Sequence, residues 1–320
     1  MGLAVKFPFP LPPEGGAVLA VGENSLDFVA ALSTEPVVAA KHVLNGFDRF
    51  VGGQAATAAV TCSRQGVDAR YFGVFGDDEA GALVRAHLTG EGVEVVAIER
   101  PGARSRVAMI LVDSTGERTV YEYRDSRLAL EEPSVVTSAV AGAKALLVDA
   151  TDIKVAIAAA SAARAAGIPT VIDIDRVTPD AHRLLALIDV IVVPEPFLLA
   201  FTGAGTVGDG LVRIRKEFLP ALVVATLGPA GSLALAAGRE IRTPGFQVAA
   251  VDTTGAGDAF RGGLVSAWVR AGQDAQLEET LAAANATAAL NCRAVGAQTA
   301  LPARSDVEDL LTQTGVFRSN

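Results

Sequence analysis

The stretch Asp252-Thr253-Thr254-Gly255-Ala256-Gly257-Asp258-Ala259-Phe260 joins an apolar, strand-like run (Phe246 to Val251) to a helix-like run (Ala259 to Val269). Two glycines at the mouth of a helix let backbone N–H groups come close to an anion, and the helix dipole favours negative charge there. Asp258 is then a carboxylate beside an anion hole. That pair is the minimal equipment for moving a phosphoryl group onto a hydroxyl, with the carboxylate as base. Taken without its neighbours, the stretch also reads as an ordinary strand–turn–helix junction in which Asp258 caps the helix. It is no dinucleotide fingerprint, because Phe260 stands where the third glycine belongs, and the chain has no GxxxxGK[ST] loop.

The strand-to-helix step repeats outward from this point. Strands are predicted at Val18–Val21, Val67–Phe72, Leu146–Asp149, Thr170–Asp173, Val190–Val193, Leu222–Thr226 and Phe246–Val251. Helices are predicted near Gln54–Arg64, Glu79–Leu88, Lys154–Ala166, Gly208–Glu217, Ala259–Val269 and Leu277–Leu290. Hydrophobic strands alternating with helices predict an α/β fold with a mostly parallel central sheet covered on both faces. Two stretches break the rhythm. Val29 to Phe50 lacks a clear crossover helix, and Val107–Val112 and Thr119–Tyr123 read as strands around the turn Asp113-Ser114-Thr115-Gly116. Segments at about 25–50 and 105–125 therefore predict a small β sheet acting as a lid, or else an edge extension of the main sheet.

Half of the 320 residues are hydrophobic, enough for a large core, and the net charge is −9 with no basic run. That balance argues against a nucleic-acid or membrane partner. The only cysteines, Cys62 and Cys292, lie far apart, which fits a reducing, cytoplasmic setting and excludes a disulfide framework or zinc site. The proline-rich residues 1–16 read as a flexible tail without the apolar run of a signal peptide, leaving 17–320 as one domain. His42, His87 and His182 show no ligand spacing.

Polar residues gather just after the predicted strands: Glu23, Asn24 and Asp27 after the first, then Asp173 and Asp175, Glu195, Thr226, and finally the opening stretch. Ligands of open α/β sheets bind beyond the carboxyl ends of strands, so these residues point to one cleft.

Extended to Arg261-Gly262-Gly263, the opening stretch closely resembles the carboxy-terminal signature of the ribokinase-like (phosphofructokinase-B type) carbohydrate kinases. Further resemblances follow in order along nearly the whole chain. Gly52-Gly53-Gln54-Ala55-Ala56-Thr57 resembles the amino-terminal double-glycine signature, Thr226-Leu227-Gly228-Pro229-Ala230-Gly231 a nucleotide-binding turn, and Asn285 through Gln298 the adenine and cation region. The resemblance implies a ribokinase-like three-layer sandwich with a β lid, using ATP and Mg²⁺, with K⁺ as a candidate further cation, to phosphorylate a monosaccharide. It makes Asp258 the base and Gly255, Ala256 and Gly257 the anion hole. It assigns sugar contacts to Asn24, Asp27, Gly52, Gly53, Gln54 and Thr57, and nucleotide contacts to Thr226, Gly228, Gly231, Asn285 and Glu195. Asp252 and Thr254, with main-chain oxygens near Arg293 and Gly296, resemble ligands of a monovalent cation.

Taken alone, Asp27 reads equally as a cap, the glycine pair as a loop-to-helix turn, and Asp252 as a turn-stabilising carboxylate. Two departures stand out. Thr57 replaces the asparagine usual in the amino-terminal signature, and Pro194-Glu195-Pro196-Phe197 replaces an Asn-x-x-Glu motif, so Glu195 reads either as a water-mediated Mg²⁺ contact or as a solvated first-turn residue. Arg106 and Arg176 are candidates for an anionic ligand or for surface salt bridges. A nucleoside kinase remains open, with Phe28, Tyr121 and Tyr123 as the apolar face for a base, as does a non-catalytic binding protein of the same fold. An exposed lid sheet predicts a homodimer through that lid.

Overall fold

The computed structural model describes residues 5–12, 16–33, 37, 39–113, 118–130 and 132–315. The first half of the chain forms β1 (Val18–Val21), β2 (Ser25–Leu32), β3 (Leu44–Gly52), α1 (Gln54–Arg64), β4 (Ala69–Gly76), α2 (Glu79–Gly90), β5 (Glu94–Arg100), β6 (Val107–Val112), β7 (Arg118–Tyr123), α3 (Thr137–Val140), β8 (Ala145–Asp149) and α4 (Ile153–Ala165). The second half forms β9 (Thr170–Asp173), α5 (Ala181–Leu185), β10 (Val190–Pro194), α6 (Glu195–Thr202), α7 (Val207–Phe218), β11 (Leu222–Thr226), β12 (Ser232–Ala236), β13 (Arg239–Thr243), α8 (Ala256–Ala271), α9 (Leu277–Asn291) and α10 (Arg304–Gln313).

Nine strands make the central sheet in the order β13-β12-β11-β10-β9-β8-β1-β4-β5. All neighbours are parallel except β12, which runs antiparallel to both β11 and β13. Successive residues of a strand point to opposite faces. Val18 and Ala20 accordingly enter one core with α1, α8 and α9, while Leu19 and Val21 enter another with α4 to α7. Such double-sided burial explains why the parallel strands read as unbroken apolar runs. From β1 the chain builds out to β4 and β5, then returns to β8 on the other side of β1. The carboxyl ends of β1 and β8 thus form a topological switch point, where a crevice opens.

A four-stranded sheet of order β3-β2-β6-β7 projects from this body. The register Asp27↔Ala108 and Ala108↔Glu122 places these three residues on one face. The two irregular sequence stretches therefore belong to a separate small sheet and not to an edge of the main one. The predicted turn at Ser114 to Gly116 lies outside the described residues.

Two expectations are corrected. Phe246–Val251 forms no strand. With β13 already at the sheet edge, the segment passes outside it; Phe246 packs on the small core of α9 and α10, and the Val251 N–H donates to the Cys292 carbonyl at 2.7 Å. The amino-terminal segment is not loose between residues 5 and 12. Phe7 and Leu11 are buried, and the Phe7 ring stacks on Trp268 with centroids 4.3 Å apart. Phe7 and Leu11, on either side of Pro8 and Pro10, provide the apolar anchors. Among the described residues no single helix is long and apolar enough to cross a membrane.

Candidate active site

The two sheets enclose a cleft of about 610 Å³. Its floor is made by Gly53 and Gln54 at the start of α1, Ala150 and Thr151 after β8, Asp175, Arg176 and Thr178 after β9, and Thr254, Gly255 and Asp258 at the start of α8. Its roof is the inner face of the small sheet: Asp27, Ala108, Ile110, Val120 and Glu122.

Helix α8 starts three residues earlier than its apolar pattern predicts, so Asp258 sits in the first turn. Gly255 precedes the helix at φ 75, and a Cβ there would lie 2.6 Å from the Ala297 carbonyl oxygen, so only glycine fits. The three N–H groups expected to serve an anion are not equally placed. The Ala256 N–H donates to the Thr253 carbonyl at 3.2 Å, because the turn closes on itself there. Among the described residues no acceptor faces the N–H groups of Gly255 and Gly257, which remain for an anion at the positive end of α8.

Burial pushes the Asp258 carboxyl up to about 6, against the pull of Arg261. Burial also drives the Asp173 carboxyl well above its usual value, and the charge of Asp258 adds to that rise. Two carboxyls this close titrate as a pair. Arg261, one turn along α8, lies with Nη2 at 2.9 Å from Asp173 Oδ1 and donates to the Val192 carbonyl at 3.0 Å. Gln54 Nε2 reaches the same Asp173 oxygen at 3.5 Å. A carboxyl of raised basicity is thereby held beside open backbone donors. Sequence reasoning placed Asp173 among the residues pointing to the cleft but did not pair it with Arg261, since the two are far apart in the chain.

The residues assigned to sugar contacts divide into two groups. Asp27, Gly53, Gln54, Arg106 and Arg176 line the cleft. The Asp27 carboxyl is raised by burial, and its Oδ1 has no partner among the described residues. Gly52 lies behind it, where a Cβ would meet Asp27 Oδ2 at 2.1 Å. Asn24 and Thr57 do not reach the cleft. Asn24 Nδ2 donates to the Tyr71 hydroxyl at 3.0 Å and the Val74 carbonyl at 3.1 Å, while buried Thr57 accepts from Gln298 Nε2 at 3.1 Å. Both side chains point into the body and tie elements together. Asp149 acts similarly at the switch point, accepting from the N–H groups of Glu23 at 2.6 Å and Ala55 at 3.3 Å.

None of the residues assigned to the nucleotide lines this cleft. Thr226 ends β11, and Gly228 and Gly231 bound the short turn that follows it. Asn285 on α9 donates to Ser232 Oγ at 3.0 Å, and Glu195 opens α6 at the end of β10. The cation candidates do converge. Asp252 accepts from Thr254 N–H at 2.9 Å through Oδ1 and from Gly296 N–H at 2.9 Å through Oδ2. Asn291 Nδ2 donates to the Thr254 and Ala297 carbonyls at 3.3 and 3.0 Å, leaving its buried Oδ1 without a partner. The side chain of Arg293 turns to α9, its Nε donating to the Leu290 carbonyl at 3.3 Å. A hard-oxygen set with one orphaned oxygen suits a monovalent cation.

Residues 17–304 match the family model for pfkB family carbohydrate kinases. The chain belongs to the PfkB family. A fructokinase of Klebsiella pneumoniae is 33% identical over 277 residues, covering 80% of this chain and 90% of that protein. A ribokinase candidate from Agrobacterium tumefaciens superposes with a TM-score of 0.87 at 29% identity, covering 95% of this chain and all of that one. The ribokinase of Arabidopsis thaliana, solved with ribose and ATP, superposes with a TM-score of 0.82 at 24% identity over 93% and 99% of the two chains. The protein is thus a carbohydrate kinase with the ribokinase fold, and its small sheet is the PfkB lid.

Proposed function

We propose that the protein transfers the γ-phosphoryl group of ATP to a hydroxyl of a monosaccharide, with Asp258 as the base. The observation that carries this reading is Asp258, raised to about 6, in the same helical turn as the open N–H of Gly257 and beside that of Gly255. Asp258 accepts the hydroxyl proton as that oxygen forms its bond to the γ-phosphorus and the bond to ADP breaks. The N–H groups of Gly255 and Gly257 meet the charge on the transferred phosphoryl oxygens. The unpartnered Oδ1 of Asp27 accepts a sugar hydroxyl, and Gln54 carries Asp173 at the cleft floor. Mg²⁺ would enter with the nucleotide as MgATP; the Arabidopsis ribokinase was solved with ribose and ATP. The turn from Thr226 to Gly231, with Asn285 and Glu195, is the proposed nucleotide side. Asp252, Thr254 and the Gly296 segment would hold a potassium ion, which supplies positive charge behind the anion hole.

Replacing Asp258 by asparagine should leave ATP binding intact and collapse sugar-dependent ADP release. Near-full turnover in that variant, on any sugar the wild type accepts, refutes the base assignment. A homodimer through the outer lid face is also proposed. Met109, Tyr121 and Tyr123 are exposed there, on the side away from the cleft. Sedimentation of a Tyr121→Lys variant as a monomer, against a wild-type dimer, would support it; a monomeric wild type would not.

A further inference from the structure

Five carboxylates (Glu23, Asp27, Glu122, Asp175 and Asp258) and three guanidiniums (Arg106, Arg124 and Arg176) line the cleft. A guanidinium in a ligand cleft ordinarily offers its fork to a carboxylate or phosphate of the ligand. Here all three are engaged within the protein. Arg106 Nη2 and Arg176 Nη2 both donate to Oε1 of Glu122, at 2.8 and 2.9 Å. Arg106 Nε lies 2.9 Å from Glu23 Oε1, and Arg124 donates to the Thr151 carbonyl at 2.8 Å with Asp152 at 3.6 Å. These partners come from different parts of the molecule. Glu122 hangs from β7 of the lid, Arg106 precedes β6, and Arg176 follows β9 of the body. A single lid oxygen therefore neutralises two guanidiniums over the cleft, and both hold the Glu122 carboxyl below its usual value.

We propose that Glu122 sets the charge class of the acceptor, committing the cleft to an uncharged polyhydroxy sugar and excluding sugar acids and phosphate-bearing sugars. This rests on the carbohydrate kinase reading above. An anionic acceptor must either displace Glu122 from both arginines or remain unpaired among carboxylates, and both routes cost affinity. A neutral sugar meets neither obstacle, since carboxylate oxygens accept its hydroxyls. In Glu122→Gln the shape is kept and the charge is lost. Arg106 retains Glu23, whereas Arg176, 68% exposed and 3.8 Å from Asp175, is released towards the cleft.

The test compares kcat/KM for a neutral ketohexose with that for its 6-phosphate and for a 2-keto sugar acid, in wild type and E122Q. Calorimetric binding of the same three compounds is measured without ATP. The expected result is a neutral preference in wild type and a shift of at least about tenfold towards the anions in E122Q, mainly in KM. The shift should disappear when Arg176→Met is added. A wild type that prefers an anion, or a folded E122Q with an unchanged preference, overturns the proposal. Failure of the underlying kinase reading looks different, because no compound would then release ADP. Calorimetry still decides in that case: anion binding gained in E122Q supports the role of Glu122, and none gained refutes it.

Discussion

Replacing Arg261 by methionine removes the guanidinium that lies 2.9 Å from Asp173 and 3.0 Å from the Val192 carbonyl. The two side chains are 3% and 1% exposed, so the behaviour of buried pairs applies and not that of surface pairs. Breaking a buried pair from one side costs about 3–5 kcal/mol. That is a large part of the roughly 5–15 kcal/mol that separates folded from unfolded protein. The loss will depend on pH. Without Arg261, burial keeps the Asp173 carboxyl protonated in the fold, while the unfolded chain ionises near pH 3.9. A folded value above the unfolded one means that stability is retained below the unfolded value and lost as pH rises towards the folded value. Urea unfolding of R261M should therefore show a larger deficit at pH 8 than at pH 5.5. Adding Asp173→Asn, which removes the stranded acid, should recover part of the loss at pH 8. An R261M variant within about 1 kcal/mol of wild type at pH 8 would refute the reasoning, as would a double variant no more stable than the single one.

Three further outcomes are expected. With Asp258 raised to about 6, kcat at saturating substrates should fall progressively below pH 6 as the base takes a proton, and a profile flat down to pH 5 contradicts its role. Gly52→Ala would drive a Cβ to 2.1 Å from Asp27 Oδ2 and 2.9 Å from Ser25 Oγ, so the acceptor KM should rise about tenfold or more while the ATP KM stays unchanged; equal changes in both speak against Asp27 as a sugar contact. Replacing K⁺ with tetramethylammonium at constant ionic strength should lower the thermal midpoint, and Asp252→Asn should abolish that difference; identical midpoints in wild type would remove the cation from the site.

The sheet was legible because its strands are buried on both faces, so runs such as Val190–Val193 stand out from the helices around them. Helix α1 was placed at its observed bounds, since the glycine before it and the alanine-rich face mark its start and course. Phe246–Val251 misled because composition alone does not supply a neighbouring strand. β12 and β13 were overlooked for the complementary reason, being short antiparallel strands whose pairing depends on the edge that β11 offers. Within the site, Asp258 and its glycines were legible as a local motif. The Asp173–Arg261 pair and the Glu122 junction were not, because a nonlocal ion pair leaves no period or spacing in the chain. Asn24 shows the reverse case: its amide suited a sugar, but Tyr71 and Val74 take up its donors, while Thr57, read as a departure from the usual asparagine, is bonded to Gln298.

The docking of the amino-terminal segment has a consequence for how the molecule is made. The Leu277 N–H donates to the Val5 carbonyl at 2.7 Å, the Phe7 N–H donates to the Ala275 carbonyl at 2.8 Å, and Phe7 covers Trp268 on the helix whose other end carries Asp258. Contacts so distant in sequence form late, since they close nearly the whole chain into a loop. On the ribosome, residues 5–12 must wait for α8 and the start of α9 to emerge before they have a place to bind. The helix that carries Asp258 is therefore among the last parts to receive all its packing partners, and this step closes off the core shared by α1, α8 and α9.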